Sequence, residues 1–137
     1  MDPCVYKVGG KWQMAYKDEY HGGHTWVAES DDLYKWTVRG PIIEDVEHEA
    51  PFYWMQEGRH FMIVDDYSEA RVYESPDGLD NWKFLTRFNA GHPCIYQNNN
   101  KTFLIHHTHD QIHPRRSAIF VRELIIDEEG KPTPVYE

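Results

Sequence analysis

Apolar and polar residues alternate with a period of two along most of the chain. The segments at 4–8, 12–16, 25–29 and 37–43 carry β-branched and aromatic residues in this rhythm, and turn-forming residues such as Gly9-Gly10, Gly22-Gly23 and Asp31-Asp32 separate them. Strands are therefore expected throughout. No stretch of ten residues shows a 3.6-residue period, so helix is expected to be scarce.

The pattern repeats. "DPCVYKVGGKWQMAYKDEY" (2–20), "APFYWMQEGRHFMIVDDYS" (50–68) and "HPCIYQNNNKTFLIHHTHD" (92–110) superimpose without a gap, and "WVAESDDLYKW" (26–36) answers "RVYESPDGLDNW" (71–82) with one residue inserted. Pro3, Pro51 and Pro93 mark the units, which run over about 2–44, 49–88 and 91–135. Four strands recurring every 40 to 50 residues are the mark of a propeller blade. The fold class expected is all-β, a single β-propeller domain of four-stranded antiparallel blades with about three blades present. A β-sandwich with similar hairpins is the alternative. Three blades fall short of the usual four to eight, and an open ring leaves sheet edges unpaired. The chain is then a fragment, a ring completed by another chain (a homo-oligomer included), or a reduced propeller.

Composition narrows the partners. At 137 residues, 40% hydrophobic and 15% aromatic, the chain is long and apolar enough for one ordinary core. A net charge of −9, against which Arg115-Arg116 is the largest basic patch, argues against nucleic acid and anionic membrane surfaces. No apolar run reaches 18 residues and the first twenty contain no signal-peptide core; the compartment is left unassigned. Cys4 and Cys94 occupy equivalent positions and read as small buried hydrophobes.

In a propeller the first strand of each blade lines the channel, so residues at the starts of these strands meet at one mouth. Here they are Asp2 before Pro3, Glu49 before Ala50-Pro51, and His92 before Pro93. The stretches "DPCVYKVGGKWQMAYK", "EAPFYWMQEGRHFMIV", "GHPCIYQNNNKTFLIHH" and "RRSAIFVRELIIDEEGKPTPV" resemble the five-bladed propeller glycoside hydrolases of family 43 and their relatives, over almost the whole chain. That resemblance implies a glycoside hydrolase acting on poly- or oligosaccharides. Glu49, in the Glu-Ala-Pro motif, takes the place of the general acid. Asp2 takes that of a carboxylate that either activates water or, as the one-blade spacing to Glu49 favours, tunes the acid and orients substrate. Inverting hydrolysis needs an acid and a base about 6.5–9.5 Å apart, with water between base and sugar. The blade that carries the base in the family has no counterpart in this chain.

The same resemblance makes His92 and Arg116 substrate-binding candidates; Trp54, Trp26 and Tyr53 are candidate platforms because pyranose faces stack on flat rings. The matched Trp36 and Trp82 read as blade packing. The group His106, His107, His109 and His113 lacks helical metal-ligand spacing, so no metal site is expected there. No cofactor is expected, with an ion near His92 left open. The loops 17–24 and 108–116 are expected to shape the mouth. The partner expected is a carbohydrate. The rival reading is a non-catalytic carbohydrate-binding or assembly propeller without the base.

Overall fold

The computed structural model describes residues 1–108 and 118–136. They form three antiparallel four-stranded sheets, each built from consecutive strands. The first holds β1 (Cys4–Val8), β2 (Lys11–Asp18), β3 (His24–Ser30) and β4 (Thr37–Ile43). The second holds β5 (Glu49–Gln56), β6 (Arg59–Asp65), β7 (Ala70–Ser75) and β8 (Lys83–Phe88). The third holds β9 (Gly91–Asn98), β10 (Lys101–His107), β11 (Ile119–Ile126) and β12 (Pro132–Pro134). These are three propeller blades, and the sandwich alternative is set aside.

The repeat in the sequence is a repeat of local geometry. The first hairpin of every blade closes through two residues that both have positive φ: Gly9-Gly10, Glu57-Gly58 and Asn99-Asn100. Such two-residue turns have a twist that matches the strands they join, and Gly and Asn adopt them at least cost. A second device recurs between the third and fourth strands of the first two blades. Ser30 Oγ accepts from the Leu33 amide while Asp32 Oδ1 accepts from those of Tyr34 and Lys35. Ser75 Oγ and Asp77 Oδ1 do the same for Gly78, Leu79 and Asp80. Trp36 and Trp82 then donate from Nε1 to the carbonyls of Leu33 and Leu79. The matched tryptophans close these turns.

Blades pack face on face. The first lays Tyr6, Ala15 and Ile43 against Met62, Val64 and Tyr73 of the second. Tyr6 stacks on Tyr53 with ring centroids 3.9 Å apart. On its other face the second blade lays Trp54, Phe61, Ile63 and Val72 against Ile95, Leu104 and Leu124 of the third. Each fully buried side chain of this size contributes about 1.5–3 kcal/mol relative to exposure. The middle blade is thus clamped on both faces, which fixes how the three inner strands meet.

Candidate functional site at the channel mouth

Each inner strand is entered through a residue followed by proline, and the three residues at that step share an unusual backbone. Asp2, Ala50 and His92 have φ of 51°, 51° and 44°. None is glycine, and a side chain in this region costs about 1–3 kcal/mol unless the surroundings hold it. Two carboxylates supply that hold across blade boundaries. Asp2 Oδ2 accepts from the Ala50 amide at 3.3 Å, joining the first blade to the second. Asp65 Oδ2 accepts from the His92 amide at 2.6 Å, joining the second to the third. The three steps and their prolines line an open pocket of about 240 Å³, with Phe52 and Cys94 completing its wall.

Strict equivalence therefore runs through Asp2, Ala50 and His92, with Glu49 one residue earlier. Its counterpart in the third blade is Gly91, where an added Cβ would lie 2.2 Å from the His107 ring. A side chain at the third blade's position would therefore meet that ring, and the first blade carries the exposed Met1 there. Glu49 opens β5 opposite Asp65 in the ladder. Its Oε1 lies 3.4 Å from His92 Nδ1, and its side chain is 26% exposed against 53% for His92. Asp65 is buried. Glu49, Asp65 and His92 each offer one atom within 4.8 Å of the others, a spacing compatible with a shared proton or cation.

Behind this front stands a polar layer. His48 is fully buried. Its Nδ1 lies 2.8 Å from the Val46 carbonyl, which can only accept, so Nδ1 carries the proton. The neutral ring then accepts at Nε2 from the Thr25 hydroxyl at 2.6 Å. Burial holds the imidazole below its ordinary pKa. Lys17, at the position in β2 equivalent to Asp65 in β6, is also buried. Its Nζ donates to the Tyr67 hydroxyl and pairs with Glu19 Oε1 at 3.2 Å. Burial works against its charge, but these two bonds outweigh it and hold the ammonium above the usual lysine range. The Tyr67 amide donates in turn to Asp65 Oδ1 at 2.8 Å, linking the layer to the mouth.

Among the sequence candidates, Glu49, His92 and Asp2 are brought to one end of the inner strands. Trp54 is not presented there. Its ring is only 3% exposed, stacked near Phe61 in the core between the second and third blades, so it offers no free face to a sugar. The reason is alternation. Trp54 shares its face of β5 with Phe52, which also packs against that core. Tyr53, on the opposite face, is packed against Tyr6 and Trp82, and burial pushes its hydroxyl up to about 12. Trp26 is half-buried on the face of the first blade away from the second, its ring tilted against His21 at 4.9 Å. Its Nε1 is enclosed without a partner among the described residues. Arg116, His109 and His113 lie outside the described residues. His106 is buried and stacks on Phe120, a packing role.

Asp65, Lys17 and Tyr67, like the buried His48 and Thr25 beside them, had no motif to announce them. The signal available for the first two was a polar residue ending an otherwise apolar strand face at equivalent places in two repeats. Alternation alone reads such a residue as a strand end.

No protein-family model matches the sequence, and no curated protein matches it. Solved structures do. A family 43 β-1,3-galactosidase with galactodeoxynojirimycin superposes with a TM-score of 0.77 at 20% identity, over 99% of this chain and 45% of its own. The chain has the fold of the family 43 glycoside hydrolase propellers. The arabinanase of Bacillus subtilis matches with a TM-score of 0.66 at 18% identity, over 96% of this chain and 53% of its own. A family 32 β-fructofuranosidase from Bombyx mori matches with a TM-score of 0.72 at 15% identity, over 98% of this chain and 36% of its own. The chain thus spans roughly half the length, or less, of these family 43 and family 32 enzymes. Their likeness at such identity is one of fold.

Proposed function

We propose that the channel mouth is a glycosidase-type site for poly- or oligosaccharides, in which Glu49 is the general acid. The observation that carries this is the placement of Glu49 at the start of the second blade's inner strand, beside the exposed imidazole of His92. A carboxyl group there can protonate a leaving glycosidic oxygen, and His92 and Asp2 can hold neighbouring sugar hydroxyls. Asp65 acts through His92. By binding its amide it keeps that residue in the left-handed conformation that turns the ring toward the mouth. The fold likeness to enzymes whose names specify galactosides, arabinan and fructofuranosides supports a carbohydrate partner.

A second reading is favoured by a specific observation. Asp65 is buried with both oxygens bonded to backbone amides, and Asp2 gives one oxygen to the Ala50 amide, which leaves only the second Asp2 oxygen beside Glu49 to activate water. On that reading the mouth binds sugar without cleaving it. The two readings separate on a panel of aryl arabinofuranosides, xylosides and galactosides together with the matching oligosaccharides. Release of aglycone or reducing sugar supports the hydrolase. Oligosaccharide binding by calorimetry without release supports the binding module, and the absence of both overturns the site.

A further inference from the structure

The loop between β6 and β7 carries an aromatic ring to the mouth in a costly conformation. Tyr67 has a φ of 69°, where glycine or asparagine sits with least strain and a bulky side chain is an outlier. Such strain persists only where the surroundings hold it, and it gathers at ligand clamps. Here the loop supplies that hold. The Tyr67 amide donates to Asp65 Oδ1 at 2.8 Å, and Asp66 Oδ1 accepts from the Ser68 and Glu69 amides at 3.1 and 2.8 Å. Arg71 Nη1 lies 3.7 Å from the other Asp66 oxygen.

The ring itself reaches across the boundary from the second blade to the first. Its hydroxyl accepts from Lys17 Nζ, and the Lys17 amide donates to the carbonyl of Met1, the neighbour of Asp2, at 2.9 Å. Lys17 Nζ is 2.5 Å from the hydroxyl oxygen but 5.2 Å from the ring centroid. So long a centroid distance with so short a hydroxyl contact puts the ammonium nearly in the ring plane, where it takes neither face. Tyr67 is 45% exposed, although the lysine that anchors it is buried. Asp65 ties this ring to the mouth, because its second oxygen holds the His92 amide at 2.6 Å and it stands opposite Glu49 in the ladder. A held, half-open flat ring therefore stands beside the polar groups of Asp2, Glu49 and His92.

The ligand chemistry that suits this pairing is a pyranose. Its chair turns a row of C–H groups to one face, which packs on a flat ring, while the hydroxyls at its rim reach polar partners. A furanose is smaller and puckered and offers less of such a face. We propose that Tyr67 is the stacking platform of the mouth and that it selects pyranosides, a role the packed rings of Trp54 and Tyr53 cannot fill. The inference rests on the reading of the mouth as a carbohydrate site.

The test is calorimetry of the full chain, Tyr67→Asn and Tyr67→Phe with xylotriose, β-1,3-galactotriose and arabinotriose. Asparagine tolerates the positive φ, so that variant is expected to keep the wild-type far-UV circular dichroism. The wild type should bind a pyranose trisaccharide more tightly than arabinotriose. Tyr67→Asn should raise that Kd by about five- to tenfold, and Tyr67→Phe, which keeps the ring and loses only the hydroxyl, by less than about threefold. An Asn variant that binds as the wild type does overturns the platform while leaving the mouth a sugar site. So do equal losses in both variants, which mark the hydroxyl's hold on Lys17 and not the ring, or a preference for arabinotriose. No binding of any of the three by the wild type overturns the platform and the carbohydrate reading together.

Discussion

Asp65→Asn is the substitution that most directly probes how the mouth is held. The carboxylate is 1% exposed and accepts from the His92 amide at 2.6 Å and the Tyr67 amide at 2.8 Å. Hydrogen bonds to a charged group contribute about 1.5–3 kcal/mol each, and a buried donor left unsatisfied costs about 1–3 kcal/mol. Asparagine keeps one oxygen, which can serve one amide as a neutral acceptor, and turns an NH₂ toward the other. The sum is a loss of about 2–4 kcal/mol, to which the strain of left-handed His92 adds once its anchor is gone. For a domain of this size a kilocalorie moves the thermal midpoint by about 3–5 °C. Thermal and urea unfolding, followed by far-UV circular dichroism and tryptophan fluorescence, should show a drop of roughly 6–20 °C with an unchanged urea slope. A loss below about 0.5 kcal/mol would refute the reasoning, because the inter-blade bond would then bear no load.

Two further perturbations follow from the packing and the buried imidazoles. Trp54→Ala should cost about 3–5 kcal/mol, as removal of a buried aromatic ring does, read from the urea midpoint; a loss under 1 kcal/mol would return Trp54 to the list of exposed platforms. Burial holds both His48 and His106 below the ordinary histidine value, so the folded chain binds fewer protons than the unfolded chain just below pH 6.5. Their contribution to stability is present above that pH and is lost as pH falls through the folded values. The slope is at most about 1.4 kcal/mol per pH unit for each. Urea unfolding between pH 5 and 6.5 should show stability falling with pH, and the His48→Gln, His106→Gln double variant should flatten the line. An unchanged slope would mean that neither imidazole is held neutral.

The fold was legible in the sequence because its determinants are local and repeated. Alternation marks strands, and the paired residues at 9–10, 57–58 and 99–100 mark the hairpins even where the letters differ, since Gly, Glu-Gly and Asn-Asn all take the same positive-φ turn. The prolines at 3, 51 and 93 mark the inner strands. The site was legible only where a motif adjoined a proline, which located Asp2, Glu49 and His92. Asp65 and Lys17 act through contacts that cross blades or join distant loops, and no spacing along the chain encodes those. Trp54 misled because an aromatic ring beside a channel strand and one in the inter-blade core occupy adjacent letters. Only the register with β6, in which Trp54 faces Phe61, decides between them.

On the proposed reading Glu49 donates a proton to a leaving group, and the experiment that decides it compares kcat/KM of the wild type and Glu49→Gln on one sugar carrying two leaving groups, an unactivated saccharide and a dinitrophenolate. General acid catalysis contributes about 10²–10⁴-fold, and a leaving group that needs no proton does not draw on it. The expected result is a loss in that range on the saccharide with a loss under about tenfold on the aryl glycoside. Equal losses on both substrates, or no loss on either, contradict the assignment.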